Sequence, residues 1–149
     1  MQTLFASREF LGSAGGKFKS PYRYVLSAVR AAGTPVNNPK PLLGAMVRQG
    51  QPLYGCLTPD GYRDSEAAWL SPDATTLRVS FATALAAGRL PLDAIPEAVA
   101  GSDGEPADAA ALEHLLLPTL TARTRDAVKA APARLRAALL LGSPEFMRR

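Results

Sequence analysis

The sequence is poor in the residues that usually carry chemistry. It has one cysteine, Cys56, and one histidine, His114, among 149 residues. A lone cysteine excludes an internal disulfide, and with a lone histidine it leaves too few soft ligands for a zinc centre. Aromatic residues make up only 7%. No apolar run approaches the ~18 residues that a membrane-spanning helix requires. Acidic residues are also scarce at first, with Glu9 the only one before position 48. No stretch alternates apolar and polar residues with β-branched enrichment, so strands are limited to a short hairpin at most.

What is present is a chain that folds. Apolar residues reach 47%, charged residues 20% and mean hydropathy is −0.01, a balance that excludes disorder. The length suits one domain, large enough to bury a core unaided. The formal charge is +4 and runs basic, acidic, basic along the chain. Arg8, Lys17, Lys19, Arg23, Arg30, Lys40 and Arg48 come first. Asp93, Glu97, Asp103, Glu105, Asp108 and Glu113 follow, and seven cations from Arg123 to Arg149 close the chain. Single-strand recognition wants basic residues with interleaved aromatics, and the last block offers only Phe146. The pattern is read as pairing of the acidic stretch with its basic neighbours, with no nucleic-acid partner.

Serine-proline pairs punctuate the chain at Ser20-Pro21, Ser71-Pro72 and Ser143-Pro144. Serine caps an orphan amide and proline at the first helical position loses no hydrogen bond, so each pair reads as a helix start. Apolar stripes at helical spacing follow: Tyr22, Val25, Leu26, Val29 and Ala32, then Ala74, Leu77, Phe81, Ala84 and Leu85. Gly33, Gly50 and Gly88 supply stops. A third stripe runs through Leu120, Thr124, Ala127, Val128, Ala131, Leu135, Ala138 and Leu139, interrupted by Pro132. The predicted fold is all-α, an irregular array with helices near 20–32, 41–49, 71–87, 107–117, 119–131 and 133–141. Its 27 alanines favour close helix packing. Gly101 to Pro106 reads as a loop.

One long loop, about residues 50–70, remains. Thr58-Pro59-Asp60-Gly61 is a turn signature, and Tyr54, Tyr62 and Trp69 lie around it. Asp60, Tyr62, Asp64 and Trp69 are the candidate ligand-binding residues, through carboxylates and stacking rings. Aromatics in a long loop also anchor it to a core, and Trp69 is expected to pack on the helices starting at Ser71 and Ser20, with Leu70 as a staple. An EF-hand reading from Asp60 fails because Ser65 stands where glycine belongs. Carboxylate spacing permits glycosidase chemistry without selecting it. No catalytic residue, metal ligand or cofactor is assigned. Gly12 to Lys17 lacks the phosphate-loop pattern, because Phe18 follows Gly16-Lys17; it reads as a flexible linker.

Phe5-Ala6-Ser7-Arg8-Glu9-Phe10, Lys17-Phe18-Lys19-Ser20-Pro21, Val25 to Gly33, and Gly50-Gln51-Pro52-Leu53-Tyr54-Gly55 form a set with Thr58 to Tyr62, Trp69-Leu70-Ser71-Pro72 and Leu141 to Phe146. The set resembles the C-terminal part of the bacterial domain-of-unknown-function family number eighteen hundred. Members of that family are longer, often exported, and often encoded beside a sulfatase-like partner family. The resemblance implies an accompanying N-terminal part as the partner, or another protein. It implies no activity. Met1 is not followed by a charged and then an apolar leader, so no signal peptide is expected in this chain and its compartment stays open. The leading functional expectation is a noncatalytic helical module acting by protein or polymer contact. The rival is an enzyme or carbohydrate-binding domain with its site at the 50–70 loop.

Overall fold

A computed structural model describes residues 2–13, 15–92 and 104–149. Most of the acidic stretch, with Asp93, Glu97 and Asp103, lies outside the described residues, as does the start of the 101–106 loop. The described residues hold nine helices and no strand. They are α1 (Gln2–Phe5), α2 (Arg8–Gly12), α3 (Pro21–Ala32), α4 (Lys40–Arg48), α5 (Glu66–Trp69), α6 (Pro72–Ala86), α7 (Ala109–Leu116), α8 (Ala122–Ala130) and α9 (Ala133–Leu141). The six helices expected from caps and stripes are present. The short helices α1, α2 and α5 are additions, too brief to show a period.

The core forms where α6 and α9 pack together, with α7 and α8 against α9 and with α3 against α4, α6 and α7. Tyr24, Val25, Ala28 and Val29 turn inward from α3, while Tyr22 is exposed. The inward face of α9 is Ala137, Leu140 and Leu141, with Leu135 and Leu139 half exposed. This corrects the stripe read through Leu135 and Leu139. Pro132 ends α8 and restarts the helix, so the phase of the earlier turns does not carry across the break.

Only one serine-proline pair behaves as expected in full. The Ser71 hydroxyl accepts from the Ala74 amide at 3.1 Å and caps α6. Ser20 makes no capping bond; instead the Gln51 side chain accepts from the Tyr22 amide at 2.8 Å, so the long loop caps α3. Ser143-Pro144 opens a turn and not a helix, with the Ser143 hydroxyl accepting from the Phe146 amide at 3.1 Å. Gly33 ends α3 at φ +68°, as a left-handed stop requires. Gly88, at φ +69°, is fixed twice over. A side chain there would collide with the Gly104 backbone, whose amide donates to the Gly88 carbonyl at 2.6 Å.

The stretch around Lys17 is no free linker. Phe18 is buried and forms an antiparallel bridge with Arg148. The Lys17 and Arg149 amides donate to each other's carbonyls at 3.2 and 2.8 Å, and the Lys19 amide donates to Met147 at 2.8 Å. The segment before α3 is thereby stitched to the segment after α9.

Candidate functional site

Residues 51–70 are ordered by their own polar groups. The Tyr62 hydroxyl donates to the Pro52 carbonyl at 2.8 Å, which closes the first half of the loop. The Trp69 indole N–H donates to the Arg63 carbonyl at 2.6 Å, which closes the second. The two rings lie 6.1 Å apart in a tilted arrangement. Trp69 is half-buried and packs against the core cluster. Leu70 does not cover the core as a staple would; it is 50% exposed.

Two carboxylates of the loop, Asp64 and Glu66, are taken by the segments before α3 and after α9. Lys17 forms a hydrogen-bonded ion pair with Asp64, and Arg149 stands 3.7 Å from the same carboxylate. The hydrogen bond from Lys17, reinforced by nearby cations, holds the Asp64 carboxyl below its usual range. Arg148 grips Glu66 with both terminal nitrogens, at 2.5 and 3.2 Å. These are the ion pairs among the described residues, and Glu105, Asp108 and Glu113 take no part in them. The expected pairing of the acidic stretch is thus replaced, within the described residues, by pairing of both basic ends with the loop. Asp60 is exposed and makes no hydrogen bond or ion pair with a described residue.

The structure therefore brings Tyr62 and Trp69 together, attaches Asp64 to the termini and leaves Asp60 apart. None of these four residues lines any of the five best-formed cavities among the described residues. No group of three or more His, Cys, Asp or Glu residues among the described residues could hold a metal ion. His114 is exposed on α7, and Cys56 is half-buried with its sulfur 3.6 Å from the Thr58 hydroxyl. No described helix is long and apolar enough to cross a membrane.

Two protrusions present apolar side chains outward. Tyr54 does not anchor the loop: it is fully exposed, at φ +57°, the one non-glycine residue with positive φ among those described. Leu57, three residues further on, is 99% exposed, and Leu53, next to Tyr54, is partly so. An aromatic residue held in a strained backbone and pointed at solvent is a conformation the surroundings must impose. The second protrusion is the α1–α2 hairpin. Ser7 joins the two helices, accepting from the Phe10 amide at 3.2 Å and donating to the Leu4 carbonyl at 2.9 Å. Phe5 and Phe10 meet edge to face at 5.0 Å, yet Leu4, Phe5, Phe10 and Leu11 are all 43–65% exposed. Sequence reasoning did not find this surface; the signal was four large apolar residues within eight, just before the glycines.

A residue the sequence reading passed over sits at the centre of the core. Arg78 of α6 is 1% exposed, with its guanidinium 4.4 Å from the Phe18 ring and 4.9 Å from the Tyr24 ring. One nitrogen donates to the Lys19 carbonyl at 2.7 Å, while Nε and the other terminal nitrogen have no partner. Burial pulls its pKa down to about 10. Burial, and then the neighbouring Arg78 charge, lower that of Lys19 to about 8.

The fold and loop define an all-helical domain whose two ends are tied to one long, internally bonded connection. The chain belongs to the family described as protein of unknown function (DUF1800), whose model matches residues 1–148. No curated protein and no solved structure matches it.

Proposed function

We propose that this chain is a noncatalytic helical module that works by contact with another protein surface. The observation that carries this reading is the α1–α2 hairpin, which turns Leu4, Phe5, Phe10 and Leu11 outward while making its only substantial helix contacts within itself. Clustered apolar side chains on a small protrusion are the usual mark of an interface. The exposed tip at Leu53, Tyr54 and Leu57 is a second contact point of the same kind. The partner is an apolar surface supplied either by a further part of the family protein or by another protein.

The 50–70 loop supports this reading over a ligand site there. Tyr62 and Trp69 have spent their polar groups on loop carbonyls, and Asp64 faces lysine and arginine in place of open space. Changing Leu4, Phe5, Phe10 and Leu11 together to serine tests the proposal. The melting temperature should hold while binding of a hydrophobic dye falls sharply. A collapse of the fold would make the hairpin part of the core and overturn the reading.

A further inference from the structure

A cavity of about 310 Å³ opens between α3 and the C-terminal segment, with Lys19, Arg23, Arg30 and Arg149 around it and Ser27 and Leu26 beneath. Four cations line one cavity, and no acidic residue does. The side chains of Arg23 and Arg30 make no hydrogen bond or ion pair with a described residue, although the Arg23 charge reaches Asp64. Asp64 reaches the edge of the group, 3.7 Å from Arg149, but Lys17 already holds that carboxylate. Lys19 donates to the Phe146 carbonyl at 2.6 Å, so its ammonium is fixed in place and not free to swing into water. Behind it lies Arg78, buried and also without a carboxylate.

Several of these cations are placed well for the fold, Arg30 in the last turn of α3 and Lys19 3.9 Å over the Phe146 ring, but Arg23 is not. Arg23 stands in the first turn of α3, where the helix dipole disfavours cations and no acidic residue offsets it. Four cations around one cavity with no acidic residue in its lining form a setting that an anion seated among them would complete. One guanidinium can satisfy a carboxylate with two parallel bonds, whereas several cations arriving from different sides suit a dianion with three terminal oxygens.

We propose that this cavity binds the phosphate group of an organic ligand, with Arg23 and Arg30 as the principal contacts and Lys19 as a fixed third charge. Tyr22 and Leu26 line the remaining wall, and the volume leaves room for an organic moiety beside the phosphate. This site is separate from the apolar hairpin and does not rest on the contact reading.

Isothermal titration of the full chain at low ionic strength tests it, with inorganic phosphate and glycerol 3-phosphate as probes. Vesicles of phosphatidylcholine with and without phosphatidic acid form a second arm. The expected result is saturable binding, tighter for glycerol 3-phosphate, that weakens at least tenfold in the Arg23→Gln/Arg30→Gln protein. The exposed Arg89→Gln variant, away from the cavity, should bind as the parent does. The double variant should melt no lower than the parent, because both side chains are exposed and mutually repelled. Cosedimentation with phosphatidic acid vesicles that the double variant loses would assign a lipid headgroup as the source; its absence alongside glycerol 3-phosphate binding would assign a soluble ligand. No saturable binding of any probe, or binding that the double variant retains, would overturn the proposal.

Discussion

At position 78 a guanidinium lies between two aromatic rings in the core, with no carboxylate to answer it and two nitrogens unpartnered. Its stacking on Phe18 and Tyr24 and its bond to the Lys19 carbonyl offset a desolvation cost that those contacts do not cancel. Arg78→Met, which keeps the stem and drops the charge, should therefore unfold within about 1 kcal/mol of the parent. Arg78→Ala, which also leaves a cavity, should cost about 3 kcal/mol. Denaturant melts of both variants check the pair, and equal losses would show that the charge itself holds the core. Trp69 is the other residue whose weight can be stated. It is half-buried, so Trp69→Ala should cost about 2 kcal/mol, less than the ~3–5 kcal/mol of a fully buried aromatic. That Trp69 would reach the core was legible from its place before an N-cap; that Leu70 would stay exposed was not. Arg78 was visible in principle, four residues after Ala74 on the apolar stripe of α6, but no pattern in the sequence says that a buried arginine will lack a carboxylate.

Helix ends show where local sequence decides structure and where distant residues overrule it. Ser71 caps α6 itself, so Ser71→Ala should cost about 1 kcal/mol. Ser20→Ala should cost only a few tenths, because its hydroxyl caps nothing, while Gln51→Ala should destabilise α3 by about 1 kcal/mol. Thermal melts of the three variants check that order. The six longer helices were legible because caps, stripes and glycine stops agree in each. The Ser20 cap was misread because Gln51, thirty-one positions away, reaches the same amide first. The inward face of α9 was misread because Pro132 resets the helical phase. The hairpin α1–α2 gave no period to read, its helices being one turn each.

The molecule is closed by its own ends. Residues 17–19 pair with 147–149, and both segments send cations to Asp64 and Glu66 of the long loop. That closure brings Lys19 beside Arg78, and its consequence is readable in pH. The Lys19 pKa is about 8 in the fold against 10.5 for an ordinary lysine. Between those values the unfolded chain binds more protons than the folded one, so stability should rise with pH across that window; below pH 8 the cost is present in full. The melting temperature should climb from pH 7.5 to 9.5, and Lys19→Met should remove the climb. On the acid side Asp64 and Glu145 act the other way. Burial alone would raise the Glu145 pKa, but hydrogen bonds from Thr121 and Thr124 bring it below the usual range. Both carboxylates therefore stabilise above the ordinary carboxylate pKa, and that contribution is lost as pH falls through their lowered values.

At the same scale the functional account comes down to which surface meets a partner, and this was the least legible property of the sequence. Asp60, Tyr62, Asp64 and Trp69 were singled out for their chemistry, but the fold spends three of them on internal bonds and puts Tyr54, Leu57 and the α1–α2 hairpin outside. The most direct test is site-specific photo-crosslinking in the cells that make the protein. A photoreactive phenylalanine analogue would replace Phe10, Tyr54 or, as a control, exposed Asp126 on α8. The account expects discrete covalent protein adducts from position 10, weaker ones from position 54 and none from position 126. Adducts no stronger at position 10 than at position 126 would contradict it.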